Sequence, residues 1–141
     1  MKYVLDSSVA FKWVVVESLT DKARLLRDDF CNGLIDLWSP DIFAIELAHG
    51  LTKAERLGRV TAPQGGLLWT DVMQTAPLLA ATIPLIPRAY DIASNARIGI
   101  YDCVYVALAE REKCELISAD DTLVRNLQGA FPFVVHLSAL P

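Results

Sequence analysis

Short apolar runs alternate with amphipathic stretches along the whole chain. Tyr3-Val4-Leu5 is apolar and β-prone and runs into Asp6-Ser7-Ser8, a polar triplet of the helix-start type. This predicts a strand, a polar turn and a helix over Val9 to about Val15. A second helix is expected from Leu19 or Thr20 to about Cys31, stopped by Asn32-Gly33. Leu37-Trp38-Ser39 reads as a strand, and Pro40-Asp41 opens a helix that runs to Leu57 before Gly58. Residues 61 to 80 read as one helix, with Thr61 or Pro63 near its start and Pro77 near its end. Ile83-Pro84-Leu85-Ile86 reads as a strand that Pro84 confines to a sheet edge or a strand start. Pro87 to Asn95 is helical, Ile98-Gly99-Ile100 breaks it, and Tyr101 to Lys113 is a helix again. Leu116-Ile117-Ser118 is a strand, Asp121 to Leu127 a helix and Phe133-Val134-Val135 the last strand. Strands alternating with helices imply a three-layer α/β/α sandwich with a mainly parallel central sheet. No repeat, low-complexity segment or linker interrupts the pattern.

Size and composition narrow the class. A chain of 141 residues fits a single domain over 1–141 and buries a core without disulfide or metal staples. It is 53% hydrophobic and only 21% charged, which implies much interior and an apolar surface reserved for a partner. No basic region followed by a long apolar stretch opens the chain, so no signal peptide is expected. The apolar runs are far shorter than the ~20 residues of a membrane span. A cytoplasmic location is therefore expected. Cys31, Cys103 and Cys114 are odd in number and fit no zinc spacing, so they read as reduced, buried filler. The net charge of −4 argues against nucleic-acid binding in bulk. That objection weakens where acids are metal ligands, because bound cations reverse the local sign.

The acids carry the chemistry. In open α/β sheets ligands bind beyond the carboxyl ends of the strands. Asp6 ends the first strand and Asp120 follows Leu116-Ile117-Ser118. Each also precedes a helix, where Asp is a favoured N-cap, so position alone leaves both readings open. Glu46 within Phe43-Ala44-Ile45-Glu46-Leu47-Ala48 and Asp102 within Ile100-Tyr101-Asp102-Cys103-Val104-Tyr105 sit in apolar surroundings, where an unpaired carboxylate is costly. Asp102 has the N-cap alternative; Glu46, mid-helix, has only that of an exposed face. No set of buried Lys or Arg accompanies these acids. If they meet, their repulsion calls for a hard divalent cation with oxygen ligands, Mg2+ or Mn2+. Such ions clamp phosphates and activate water, which suits phosphodiester hydrolysis. His49 and His136 are isolated and make no zinc pair.

These segments resemble the PIN-domain family. Leu5-Asp6-Ser7-Ser8-Val9 resembles its opening motif and Ile42-Phe43-Ala44-Ile45-Glu46-Leu47 its second. Tyr101-Asp102-Cys103-Val104-Tyr105-Val106-Ala107-Leu108-Ala109 is similar to the third, with Cys103 where Ala is usual. Ile117-Ser118-Ala119-Asp120-Asp121-Thr122-Leu123 is similar to the last. The four lie in register along essentially the whole chain, and the single-domain length resembles the VapC toxins of toxin–antitoxin pairs. The resemblance implies a metal-dependent endoribonuclease with Asp6, Glu46, Asp102 and Asp120 as catalytic and metal-binding residues. It implies Ser8 and Ser118 as hydroxyl partners of the acids or of metal-bound water. It also implies an RNA substrate, a homodimer and a cognate antitoxin. Asp121 adjoins Asp120, and the family pattern favours Asp120 as the ligand.

Other features carry less. Lys12, Lys53, Arg56, Arg59, Arg97 and Arg125 are candidate phosphate contacts, although solvated helix faces are the default for such residues. Trp13, Trp38 and Trp69 read as core or interface, and Gly65-Gly66 lacks the lysine and context of a phosphate loop. A phospho-accepting receiver domain is disfavoured because no Asp ends a middle strand. The alternative to catalysis is a silent PIN-fold binding module.

Overall fold

The computed structural model describes residues 1–141. β1 (Lys2–Leu5) leads into α1 (Ser7–Val14) and α2 (Thr20–Cys31). β2 (Asp36–Pro40), α3 (Ile42–Arg56), α4 (Ala62–Gln74) and β3 (Leu78–Ala80) follow. A 3₁₀ turn (Ile83–Leu85) feeds α5 (Ile86–Ala96), and α6 (Ile100–Glu112), β4 (Glu115–Ser118), α7 (Asp121–Leu127) and β5 (Val134–His136) complete the order. The five strands form one sheet in the order β3-β2-β1-β4-β5, and every pairing is parallel. The expected α/β/α sandwich is the observed architecture.

Parallel strands covered on both faces need apolar residues at consecutive positions. Val4 and Leu116 pack on the face covered by α5, α6 and α7. Their neighbours Leu5 and Ile117 pack on the opposite face, under α1 to α4. The sheet lies between the two apolar layers. α6 is buried from Cys103 through Ala109, so it lacks the polar stripe of a surface helix. Indole N–H groups pin the other layer: Trp13 Nε1 donates to Ala23 O at 2.8 Å, and Trp69 Nε1 to Ala44 O at 2.9 Å. The second bond fixes α4 against α3, the helix that carries Glu46. No helix is long and apolar enough to cross a membrane.

Two expectations fail on one segment. Residues 61 to 80 are not a single helix: α4 stops at Gln74, and Leu78–Ala80 is the edge strand, paired with Trp38–Pro40 of β2. Ile83-Pro84-Leu85-Ile86 is not a strand but the 3₁₀ turn and the first residue of α5. Leu and Ala are helix formers, so nothing local marked residues 78–80 as β. The open edge of β2 recruits them, and tertiary pairing overrides propensity. Pro84 and Pro87 lack an N–H and hold φ near −65°, which suits a first helical turn. Of the cysteines, Cys103 is buried, Cys114 half-buried and Cys31 exposed, so the buried-filler reading fails for Cys31.

Candidate active site

β1 and β4 lie side by side with Leu5 opposite Ile117, and the chain turns to opposite sides of β1 at β2 and β4. A crevice opens beyond their carboxyl ends, the place where such sheets bind ligands. Asp6 extends the ladder by one residue: its N–H donates to Ile117 O at 3.0 Å. It occupies the N-cap position of α1, yet its side chain caps nothing. Instead Oδ2 accepts from Ser8 Oγ at 2.6 Å and Ser118 Oγ at 2.8 Å. Each hydroxyl is used twice, since Ser8 Oγ accepts from Ala119 N and Ser118 Oγ from Asp120 N, both at 3.0 Å. This network ties the β1–α1 turn to the β4–α7 turn. Burial pushes the Asp6 carboxyl above its usual range; the two hydroxyls oppose that rise and the charge of Asp120 adds to it.

Asp102 stands in the first turn of α6, whose N-cap is Gly99, so the capping alternative does not apply to it. Burial, then the charges of Asp6 and Asp120, push its carboxyl up to about 6. Glu46 projects from α3, and its Oε1 is enclosed with no hydrogen-bond partner. Burial raises Glu46 to about 7; the Tyr105 hydroxyl opposes the rise, and the charges of Asp6 and Asp102 add to it. The Tyr105 hydroxyl lies close enough to act on Glu46 but outside hydrogen-bond geometry, and it too is enclosed without a partner. Asp120 caps α7: its Oδ1 accepts from Thr122 N at 2.9 Å and Leu123 N at 3.3 Å. The capping reading therefore holds for Asp120, alongside its place in the site.

All four acids line one cleft of about 390 Å³, together with Ser7, Ser8, Lys12, Glu17 and Lys53. They stand around it without closing into a three-ligand cage. None of the four pairs with a lysine, arginine or histidine. A partnerless buried Glu46 oxygen, and carboxyls that raise one another's proton affinity, form a donor set of hard oxygens short of positive charge. That set fits a hard divalent cation. Asp121, by contrast, is exposed, does not line the cleft, and lies 2.9 Å from His136 Nε2.

Among the basic candidates, Lys12 and Lys53 line the cleft, whereas Arg56, Arg97 and Arg125 do not. Arg59 Nη2 binds Glu17 Oε2 at 2.9 Å. His49, exposed one turn after Glu46, also lines the cleft. Glu17 and Tyr105 escaped the sequence reading. Tyr105 is three residues after Asp102, on the same helical face, and that spacing could have found it. Glu17 follows α1 in an irregular turn, where no periodicity places a side chain.

The PIN domain family model matches residues 3–127. The chain is 33% identical over 129 residues to VapC ribonuclease Mb0985 of Mycobacterium bovis and to ribonuclease VapC9 of Mycobacterium tuberculosis, covering 86% of this chain and 97% of each relative. It is 26% identical over 137 residues to ribonuclease VapC3 of Pyrobaculum aerophilum, covering 96% of this chain and 98% of that one. The fold is similar to the crystal structure of PAE2754 from Pyrobaculum aerophilum, with a TM-score of 0.68 and 21% identity over 98% of this chain and 93% of that chain. It is also similar to that of VapBC2 from Rickettsia felis bound to a promoter DNA fragment, with a TM-score of 0.64 and 12% identity over 96% of this chain and 97% of that one. With one family model spanning nearly the whole sheet and relatives alike over most of their length, the chain belongs to the PIN-domain family, among relatives named VapC ribonucleases.

Proposed function

We propose that this protein is a Mg2+- or Mn2+-dependent endoribonuclease, the toxin of a toxin–antitoxin pair. The observation that carries the reading is four carboxyls on one cleft at the carboxyl end of a parallel sheet, with no cation paired to any of them. Asp6, Glu46, Asp102 and Asp120 would hold the metal, which supplies charge neutralisation at the phosphate and an activated water. Ser8 and Ser118 fix Asp6 Oδ2 and thereby the orientation of the central carboxyl. The Asp120 cap bonds fix its Oδ1 in the same way. Deprotonated Glu46 and Asp102 are the forms that ligate, so cation binding displaces the protons these raised carboxyls favour. The relatives named as ribonucleases and the VapBC2 complex support RNA as substrate and an antitoxin as partner. A homodimer in the cytoplasm completes the proposal.

The test is cleavage of single-stranded and structured RNA in Mg2+, in Mn2+ and in EDTA. Cleavage should require the cation, and Asp6→Asn should lose at least ~100-fold, since the metal's charge stabilisation amounts to several kcal/mol. Equal cleavage by both proteins would trace the activity to a contaminant. A wild type silent on every RNA in both cations would favour the non-catalytic binding module.

A further inference from the structure

The cleft has a wall that the acid cluster does not explain. Lys12 lines it from α1, yet the residue is only 6% exposed. Lysines are almost never this buried unless paired. Its ammonium has three N–H donors. Two are committed inside the chain, to Glu17 Oε1 at 2.9 Å and Ser18 O at 2.8 Å. The turn that supplies both acceptors is itself built: Glu17 N–H donates to the hydroxyl of buried Thr20 at 3.0 Å, and Leu19 sits at φ 65°. A leucine in the left-handed region persists only where its surroundings hold it. Burial pushes Glu17 up, but Lys12 and Arg59 outweigh it and keep this carboxyl below its usual range. Glu17 is thus an anchored counter-ion rather than a fifth acid for the metal. Anchoring also keeps Lys12 off the four acids, where a free ammonium would take the cation's place.

We propose that Lys12, held by Glu17 and Ser18, grips an RNA phosphate with its remaining N–H beside the acid cluster. This rests on the ribonuclease reading. Lys12 is then a substrate-binding residue, and Glu17 a positioning residue. The acids repel a polyanion, so one fixed cation on the same cleft sets where the backbone lies.

The experiment measures anisotropy of a labelled single-stranded RNA over a salt series, in a cleavage-impaired Asp6→Asn parent. Lys12→Gln and Lys12→Met should weaken binding by about 10-fold and reduce the salt slope by about 1, while Lys12→Arg keeps the slope. Lys113→Met, at the opposite end of the sheet, should bind like the parent. Glu17→Gln, made in the active protein, separates the roles. It removes a negative charge, so a bystander acid would give tighter binding and unchanged turnover. A positioning acid gives weaker binding, with KM raised by up to about 10-fold and a smaller change in kcat. Thermal melts check folding, and if the neutral Lys12 variants are unfolded, Lys12→Arg and Glu17→Gln decide the matter by the same readouts. A folded Lys12→Gln that binds with the parent's affinity and slope overturns the assignment. A parent with no RNA affinity, together with a wild type that cleaves none, overturns the ribonuclease reading and this inference with it.

Discussion

Asp102 holds a half-buried carboxyl whose proton affinity is raised by burial and by the charges of Asp6 and Asp120. Its amide keeps the shape and removes the repulsion. In EDTA, Asp102→Asn should therefore raise Tm by about 4 °C, which is roughly 1 kcal/mol after discounting for solvent screening. The same variant should lose cleavage, and saturating Mg2+ should stabilise wild type more than the variant. A lower Tm in EDTA would show that the carboxylate holds the first turn of α6. Ser118 has the opposite balance. Its buried hydroxyl donates to Asp6 and accepts from Asp120 N, so Ser118→Ala orphans the Asp120 N–H and leaves Asp6 Oδ2 with Ser8 alone. Ser118→Ala should cost about 1–3 kcal/mol in a denaturant melt, and a change below ~0.5 kcal/mol would break that account. At this scale the candidate residues were legible because carboxylates in apolar context are conspicuous. What escaped was Glu17, whose meaning comes from Lys12 and Arg59 and from no local pattern.

Elements were legible where local signals agreed with packing. Asp121–Leu127 occupies the span expected from its cap, and α2 ends at Cys31 before the Asn32-Gly33 stop. β3 was missed because three helix-forming residues become a strand only when β2 offers an unpaired edge. α6 is the element with the most at stake, since it is buried on all sides and carries Asp102. Leu108→Ala, at a fully buried position, should cost about 2–5 kcal/mol, with the loss scaling with the cavity left. Leu67→Ala on α4, which is 71% exposed, should stay within ~0.5 kcal/mol. Urea melts of the two variants compare them directly, and similar losses would mean that the Leu67 face is covered by another chain.

For the whole molecule, the raised carboxyls set how stability follows pH. Glu46 rises from 4.5 to about 7 and Asp102 from 3.8 to about 6. A raised acid favours the folded state when protonated, so this stabilisation is complete below the unfolded values and is lost as pH climbs through the folded ones. Glu17, Glu110 and Glu112 are lowered by cationic partners and act oppositely, losing their contribution as pH falls below 4.5. In EDTA, Tm should rise as pH drops from about 7 to about 5 and fall under more acid conditions. With Mg2+ the upper limb should flatten or reverse, because the cation binds the deprotonated acids. A Tm that climbs steadily from pH 5 to 8 in EDTA would contradict both raised carboxyls. Exposed Ile83, Ile86 and Tyr90 gather on the 3₁₀ turn and α5, a surface suited to the proposed homodimer. Light scattering at micromolar concentration should give twice the chain mass, and a clean monomer would count against it.

The sequence by itself determined the alternation of strands and helices, the layered class and the four conspicuous acids. Each of these follows from local patterning, turn chemistry and the cost of charge in apolar context. Tertiary structure alone decided that Asp6 serves two serine hydroxyls rather than its helix, while Asp120 does cap its own. It alone decided that Leu78–Ala80 closes the sheet edge and that Lys12, on the same cleft as the acids, is held by Glu17. The physical reason is range. Propensity and periodicity act over a few residues, whereas the partners of Asp6 and Ser118 are 112 residues apart and meet only when β1 and β4 pair.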